Sequence, residues 1–151
     1  MRYVIVPKDI TIVVDDNPNK PVITVDENGD KQPLVFSFKK WLDGYVLNSP
    51  TMVRGGGSAL RRVIKMMALF DDVEPADVIG VEDDDYRLAR TAIDDIQWPP
   101  GMVRWEYQLL PFIEAWEQAK DQDEAWKKKY DAEQAKKPSL RAVEDDAPKA
   151  G

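Results

Sequence analysis

The residues of this chain that stand in chemically suggestive groups are carboxylates. Glu82-Asp83-Asp84-Asp85 is a run of four acids, and Asp15-Asp16 and Asp26-Glu27-Asp30 are shorter groups beside turn residues. Histidine and cysteine are both absent from the 151 residues. That removes the usual general base near neutral pH, the common zinc ligands, disulfides and every thiol or Ser–His–Asp nucleophile. Chemistry here would rest on acids, lysine or tyrosine. A carboxylate pair of the glycosidase kind needs a fixed separation, and nothing in the spacing of Asp15, Asp16, Asp26, Glu27 and Asp30 sets one. Turn formation accounts for them. Glu82–Asp85 lacks the spacing, the central glycine and the closing glutamate of a calcium loop, and four consecutive acids at a helix start point in different directions. The residues predict no catalytic group, no metal site and no cofactor.

Arg54-Gly55-Gly56-Gly57-Ser58 precedes a helix, where backbone amides can hold an anion. The Walker and dinucleotide spacings are missing, so these residues read as a flexible connector able to order against a partner. The net charge of −7 is concentrated. Ten acids between Asp71 and Asp95 face only Arg87 and Arg90, a local surplus of eight that equals about the whole excess. Such a chain is poorly suited to duplex nucleic acid. Its acidic face instead suggests an alternative role, an inhibitor that imitates nucleic acid and binds a basic host protein through Asp83, Asp84 and Asp85.

The elements that would hold these groups follow from periodicity. Residues 3–6, 10–14, 22–25 and 33–38 read as short strands, with a hairpin turn at Asn28-Gly29. They predict one small antiparallel sheet from the first 38 residues. Phe38, Trp41, Leu42 and Tyr45 give a first helical stripe, ended by Asn48-Ser49-Pro50, with a loop over 52–57. Ser58 to Phe70 is the central helix, capped by Ser58, with Leu60, Val63, Ile64 and Met67 on its core face and Ala59, Met66 and Phe70 beside it. Its apolar arc spans roughly 200°, which asks for packing neighbours on more than one side. Arg61, Arg62 and Lys65 form a basic face able to take an acidic segment of this chain or of a copy.

Val78–Val81 is a strand or a core-filling turn. Tyr86, Ala89, Ile93 and Ile96 mark the next helix, and Trp98-Pro99-Pro100-Gly101 stops it. Trp105, Leu109, Phe112, Trp116 and Ala119 form the last stripe, which kinks or begins at Pro111. Trp126 and Tyr130 continue its register into a charged arm from Lys120. Trp41 and Trp105 are expected in the core. Trp116 stands between core and interface, and Trp126 and Tyr130 read as exposed anchors of an interface. The fold class is α+β: one domain over 1–119, with its sheet on three or four helices, a helical arm over 120–136 that projects into solvent, and a disordered tail over 137–151. There is no apolar run of membrane-spanning length, and the N-terminal apolar run is too short for a signal peptide, so a cytosolic site is expected.

The order Leu34-Val35-Phe36-Ser37-Phe38-Lys39-Lys40-Trp41-Leu42, Ser58-Ala59-Leu60-Arg61-Arg62, Val78 to Tyr86, Pro99-Pro100 and Leu110-Pro111-Phe112 resembles small accessory proteins of tailed bacteriophages. It is similar in arrangement to tail assembly chaperone-like proteins, over about residues 34–119. The resemblance implies a non-enzymatic role in the host cytoplasm or the virion, contacts with other phage structural or assembly proteins, and self-association. It carries over no specific functional residue.

Overall fold

The structure, a computed structural model, describes residues 1–96 and 106–137. The expectations for Trp98–Gly101, for Trp105 and for the tail beyond Lys137 lie outside those residues.

The fold is α+β. Among the described residues its strands pair in three separate two-stranded antiparallel ladders rather than in one N-terminal sheet. Strand β1 (Arg2–Ile5) leaves the other early strands and pairs with β6 (Val78–Val81), from Arg2 opposite Val81 to Ile5 opposite Val78. Two reasons are visible. Pro7 has no N–H to carry a ladder on toward Ile10, and the alternation of the first strand buries Val4 and Val6 beside Val81. Two more hydrogen bonds extend the pairing, from Val6 N–H to the Asp77 carbonyl and from Ala76 N–H to the Val6 carbonyl, both 2.8 Å.

Strand β2 (Ile10–Thr11) pairs with β5 (Val35–Phe36), and β3 (Ile23–Val25) with β4 (Lys31–Pro33). The hairpin turns at Asn28-Gly29 as its sequence requires, with Gly29 at φ 82°. The Asp26 carboxylate accepts from the Asn28 and Asp30 N–H groups, each at 2.9 Å. That tight closure starts pairing at Lys31, so β3 meets Lys31–Pro33 and not the whole of Pro33–Phe38. Where the ladders diverge, Leu34 N–H donates to Val22, Val22 N–H to Ile12, and Ile12 N–H to Leu34, at 2.8, 2.8 and 2.9 Å. This closed ring satisfies three partly or wholly buried amides that no ladder reaches.

Helix α1 (Phe38–Trp41) is capped by Ser37, whose hydroxyl accepts from Lys40 N–H at 3.0 Å. It runs on through a wider π turn, Leu42–Val46. Pro50 then opens a further short helix, α2 (Pro50–Val53), under a Ser49 cap. The predicted loop therefore begins at Arg54, and Met52 is buried. Helix α3 (Gly57–Leu69) starts one residue before Ser58. Its cap position is Gly56, at φ 69°, which offers no side chain to the first amides.

Helix α4 (Asp83–Asp94) follows β6. A tight turn at Tyr107–Leu109 leads into α5 (Leu110–Gln118), which begins with Pro111 in its first turn. A second tight turn, Ala119–Asp121, ends that helix, and α6 (Glu124–Lys136) restarts under Asp123, whose carboxylate accepts from Trp126 N–H at 3.0 Å. Trp126 and Tyr130 thus lie on a separate helix, not on an extension of the Trp116 stripe.

The core is an aromatic nest. Phe38 lies 5.7 Å from Trp41, 5.8 Å from Phe70, 5.6 Å from Phe112 and 6.3 Å from Trp116, centroid to centroid. Each such pair adds about 0.5–1.5 kcal/mol beyond simple burial. Tyr86 brings α4 into the same nest, with its ring 6.1 Å from Trp116 and its hydroxyl donating to the Trp116 carbonyl at 2.6 Å.

Candidate interaction surface

The acidic run is largely engaged within the chain. Glu82 and Asp85 lie opposite the basic face of α3. Lys65 Nζ stands 2.8 Å from Glu82 and 3.5 Å from Asp85, and Arg62 Nε stands 3.4 Å from Asp85. The basic face thus takes acids of its own chain. Asp85 is buried and bridges α3 to α4, so it cannot present charge outward. Asp83 pairs with the amino group of Met1 at 2.8 Å and with Arg2 at 3.7 Å. The hydrogen bond from that ammonium holds the Asp83 carboxyl below its usual range, while the hydrogen bond to Glu82 raises the Lys65 ammonium. Asp84 is the member left in solvent, with Arg87 at 3.3 Å. Among the described residues no three ligating side chains gather as a metal site would require.

The shorter acid groups serve turns and packing. Asp15 and Asp16 hold positive φ values of 50° and 56°. Asp16 accepts a hydrogen bond from the Tyr107 hydroxyl. Next to it the Gln108 side chain clamps Val13, accepting from its N–H at 2.9 Å and donating to its carbonyl at 3.0 Å. Neither residue of the Tyr107-Gln108 pair carried a sequence signal for this.

The tryptophans divide. Trp116 is fully buried at the centre of the nest, which corrects its reading as an interface residue: the rings of Phe38, Phe70 and Tyr86 pack around it and leave it no free surface. Trp126 and Tyr130 are half-buried and stacked at 4.9 Å. The Trp126 ring also stacks on Tyr3 at 6.4 Å, and Lys127 Nζ lies 5.8 Å over the Tyr3 ring. The first turns of α6 are therefore laid against β1 instead of projecting free. Opposite Tyr3 in the ladder is Gly80, where a Cβ would sit 3.1 Å from the Tyr3 ring and 2.6 Å from Met1 Sδ. A glycine is what lets Tyr3 lie flat.

Helix α3 carries the largest departure. Ala59, Val63, Met66 and Phe70 enter the core, whereas Leu60, Ile64 and Met67 are 61%, 56% and 39% exposed. The wide apolar arc was the sequence signal. The rest of the fold covers one shoulder of it, the one packed against α2 and the aromatic nest, and leaves the other bare. Exposed Val53 and the segment Arg54–Gly56 lie just before the helix, which Gly57 opens. Arg54, Gly55, Gly56 and Gly57 are all exposed, and Gly55 and Gly56 hold φ values of 112° and 69°, so the connector reading fits their conformation.

A cleft of about 420 Å³ is lined by Gly44, Tyr45, Ser49, Pro50, Thr51, Asp95 and Ile96. Near it Glu106 is buried, with Oε1 unpartnered among the described residues, and burial pushes its carboxyl up. The Tyr45 phenol is raised by its own burial and then by Glu106. Among the described residues no helix is long and apolar enough to cross a membrane. No family model, curated protein or solved structure matches the chain.

Proposed function

We propose that the chain is a non-enzymatic protein–protein interaction protein, an assembly factor or minor virion component of the tail or head–tail region of a tailed bacteriophage, acting in the host cytoplasm or within the virion. The observation that carries the interaction role is the aliphatic stripe Leu60-Ile64-Met67, left in solvent on a thirteen-residue helix. An apolar stripe at i, i+4, i+7 is the pattern by which a helix docks on a partner. The phage assignment rests on the sequence resemblance over residues 34–119. The acidic-inhibitor alternative draws less support, because Glu82, Asp83 and Asp85 already have cationic partners in the chain.

Co-expression with the tail and head–tail subunits of the phage that carries it tests this reading. The expected result is co-elution with one of them that persists at about 0.5 M salt, where exposed charge pairs are screened. Elution apart from all of them would overturn the assembly role. So would capture by a basic protein that is lost at high salt and on reversing Asp83–Asp85 to lysine, which would establish the inhibitor instead.

A further inference from the structure

We infer that the bare face of α3 is covered by a second copy of this chain, the two α3 helices packing antiparallel about a two-fold axis at Ile64. The inference rests on the interaction reading above and names the occupant of its surface.

The argument is charge complementarity along the stripe. At its N-terminal end stand Arg54 and Arg61, neither in an ion pair among the described residues, and the first amides of α3, which Gly56 leaves without a side-chain cap. At its C-terminal end stand Asp71, whose side chain is 71% exposed, and Asp72 beside it, both at the negative end of the helix dipole. Lys39, at 3.3 Å from Asp71 and also bonded to the Met67 carbonyl, only partly offsets them. On a helix of 3.6 residues per turn, Gly57, Leu60, Ile64, Met67 and Asp71 fall on one line. A two-fold at Ile64 sets Asp71 of each copy over the uncapped start of the other α3, near Arg61, with the helix dipoles opposed. Leu60 then meets Met67 and Ala68 of the second copy. A parallel pairing would instead bring Asp71 and Asp72 against themselves. One patch made complementary to itself by rotation is what an isologous dimer requires.

The line from Gly57 to Asp71 is about 20 Å long at 1.5 Å per residue, so the contact is at the small end of specific interfaces. The dimer therefore forms in the micromolar range and dissociates on dilution. The chain's lack of cysteine makes engineered thiols unambiguous reporters. Light scattering of the full chain, alone, at about 100 µM should give twice 17.2 kDa. Ile64→Glu should return it to monomer with its thermal transition intact, because Ile64 is more than half exposed. Leu60→Ser gives the same reading should the glutamate disturb the fold. Under mild oxidation Leu60→Cys mixed with Ala68→Cys should cross-link, and neither should cross-link alone.

A monomeric wild type at that concentration overturns the inference. So does a dimer untouched by both Ile64→Glu and Leu60→Ser, or a cross-link formed by Leu60→Cys alone. A monomer that still co-elutes with phage subunits sinks this pairing and spares the assembly role. A stripe-dependent dimer that binds none of those subunits does the reverse.

Discussion

Asp85 accepts from two cations of the neighbouring helix while itself buried, and removing it leaves Arg62 and Lys65 facing each other without their shared acceptor. Asp85→Ala should cost about 1–3 kcal/mol, read as a lower denaturant midpoint at constant slope. Asp84→Ala, with its side chain 92% exposed, should stay within about 0.5 kcal/mol. Two acids adjacent in sequence thus differ because one faces α3 and the other faces water. Glu106 sets a pH dependence of opposite sign to that of an ordinary paired acid. Burial raises its folded carboxyl above the unfolded value of 4.5. The native state therefore holds a proton that the unfolded chain has released, and stability falls as pH rises from about that value through the folded one. Glu106→Gln should remove that fall and raise the melting temperature at pH 7, while leaving it little changed near pH 4. The acids were legible as turn formers and helix-end charges. Which of them would be buried was not, because that depends on which helix packs opposite, a tertiary fact that the local spacing does not contain.

At the scale of elements, the two C-terminal tryptophans should behave as unlike residues. Trp116→Ala opens a cavity among Phe38, Phe70 and Tyr86 and should cost about 3–5 kcal/mol, enough to consume much of a small domain's stability. Trp126→Ala removes one half-buried ring from the stack on Tyr3 and should cost about 1 kcal/mol, with the loss confined to faster amide exchange along α6. Gly80→Ala should resemble the second change and not the first. Its new methyl displaces the Tyr3 ring, and α6 loosens although β6 lies far from it in sequence. The helical stripes of α1, α4 and α5 were readable because each has one narrow apolar face and one buried side. The stripe of α3 pointed elsewhere than expected because an arc of roughly 200° fits several rotations about its own axis. Packing against the aromatic nest chose the shoulder carrying Ala59, Val63, Met66 and Phe70, with small Ala59 and flexible Met66 admitting close neighbours.

For the whole molecule, the sequence announced an α+β domain and a hairpin at Asn28-Gly29, but not that the first strand would cross to Val78–Val81. Strand runs show their period and their breaks and carry no mark of their partner. That crossing decides how the C-terminal helix behaves. Because β1 lies at the outer edge beside Ala119–Gln122, with Tyr3 N–H donating to the Gln122 carbonyl at 2.8 Å, the last turn that closes the domain ends at Gln122. Helix α6 has no fully buried residue. Among the described residues it is tied to β1 by the Trp126 stack and the Lys127–Tyr3 contact, and within itself by the i, i+4 pair of Lys127 with Asp131 at 2.6 Å. A chain ending at Gln122 should therefore fold cooperatively, lose about 1–2 kcal/mol, and keep the near-ultraviolet circular dichroism of the aromatic nest. Its mass by light scattering should equal that of the full chain in oligomeric state, since the α3 surface is untouched. A truncated chain that turned monomeric while the full chain was dimeric would place the contact on α6, with Trp126 and Tyr130 exchanging Tyr3 for a partner. A truncated chain that failed to fold would show that α6 is a structural member of the domain, more deeply coupled to β1 than two surface contacts on Tyr3 can account for.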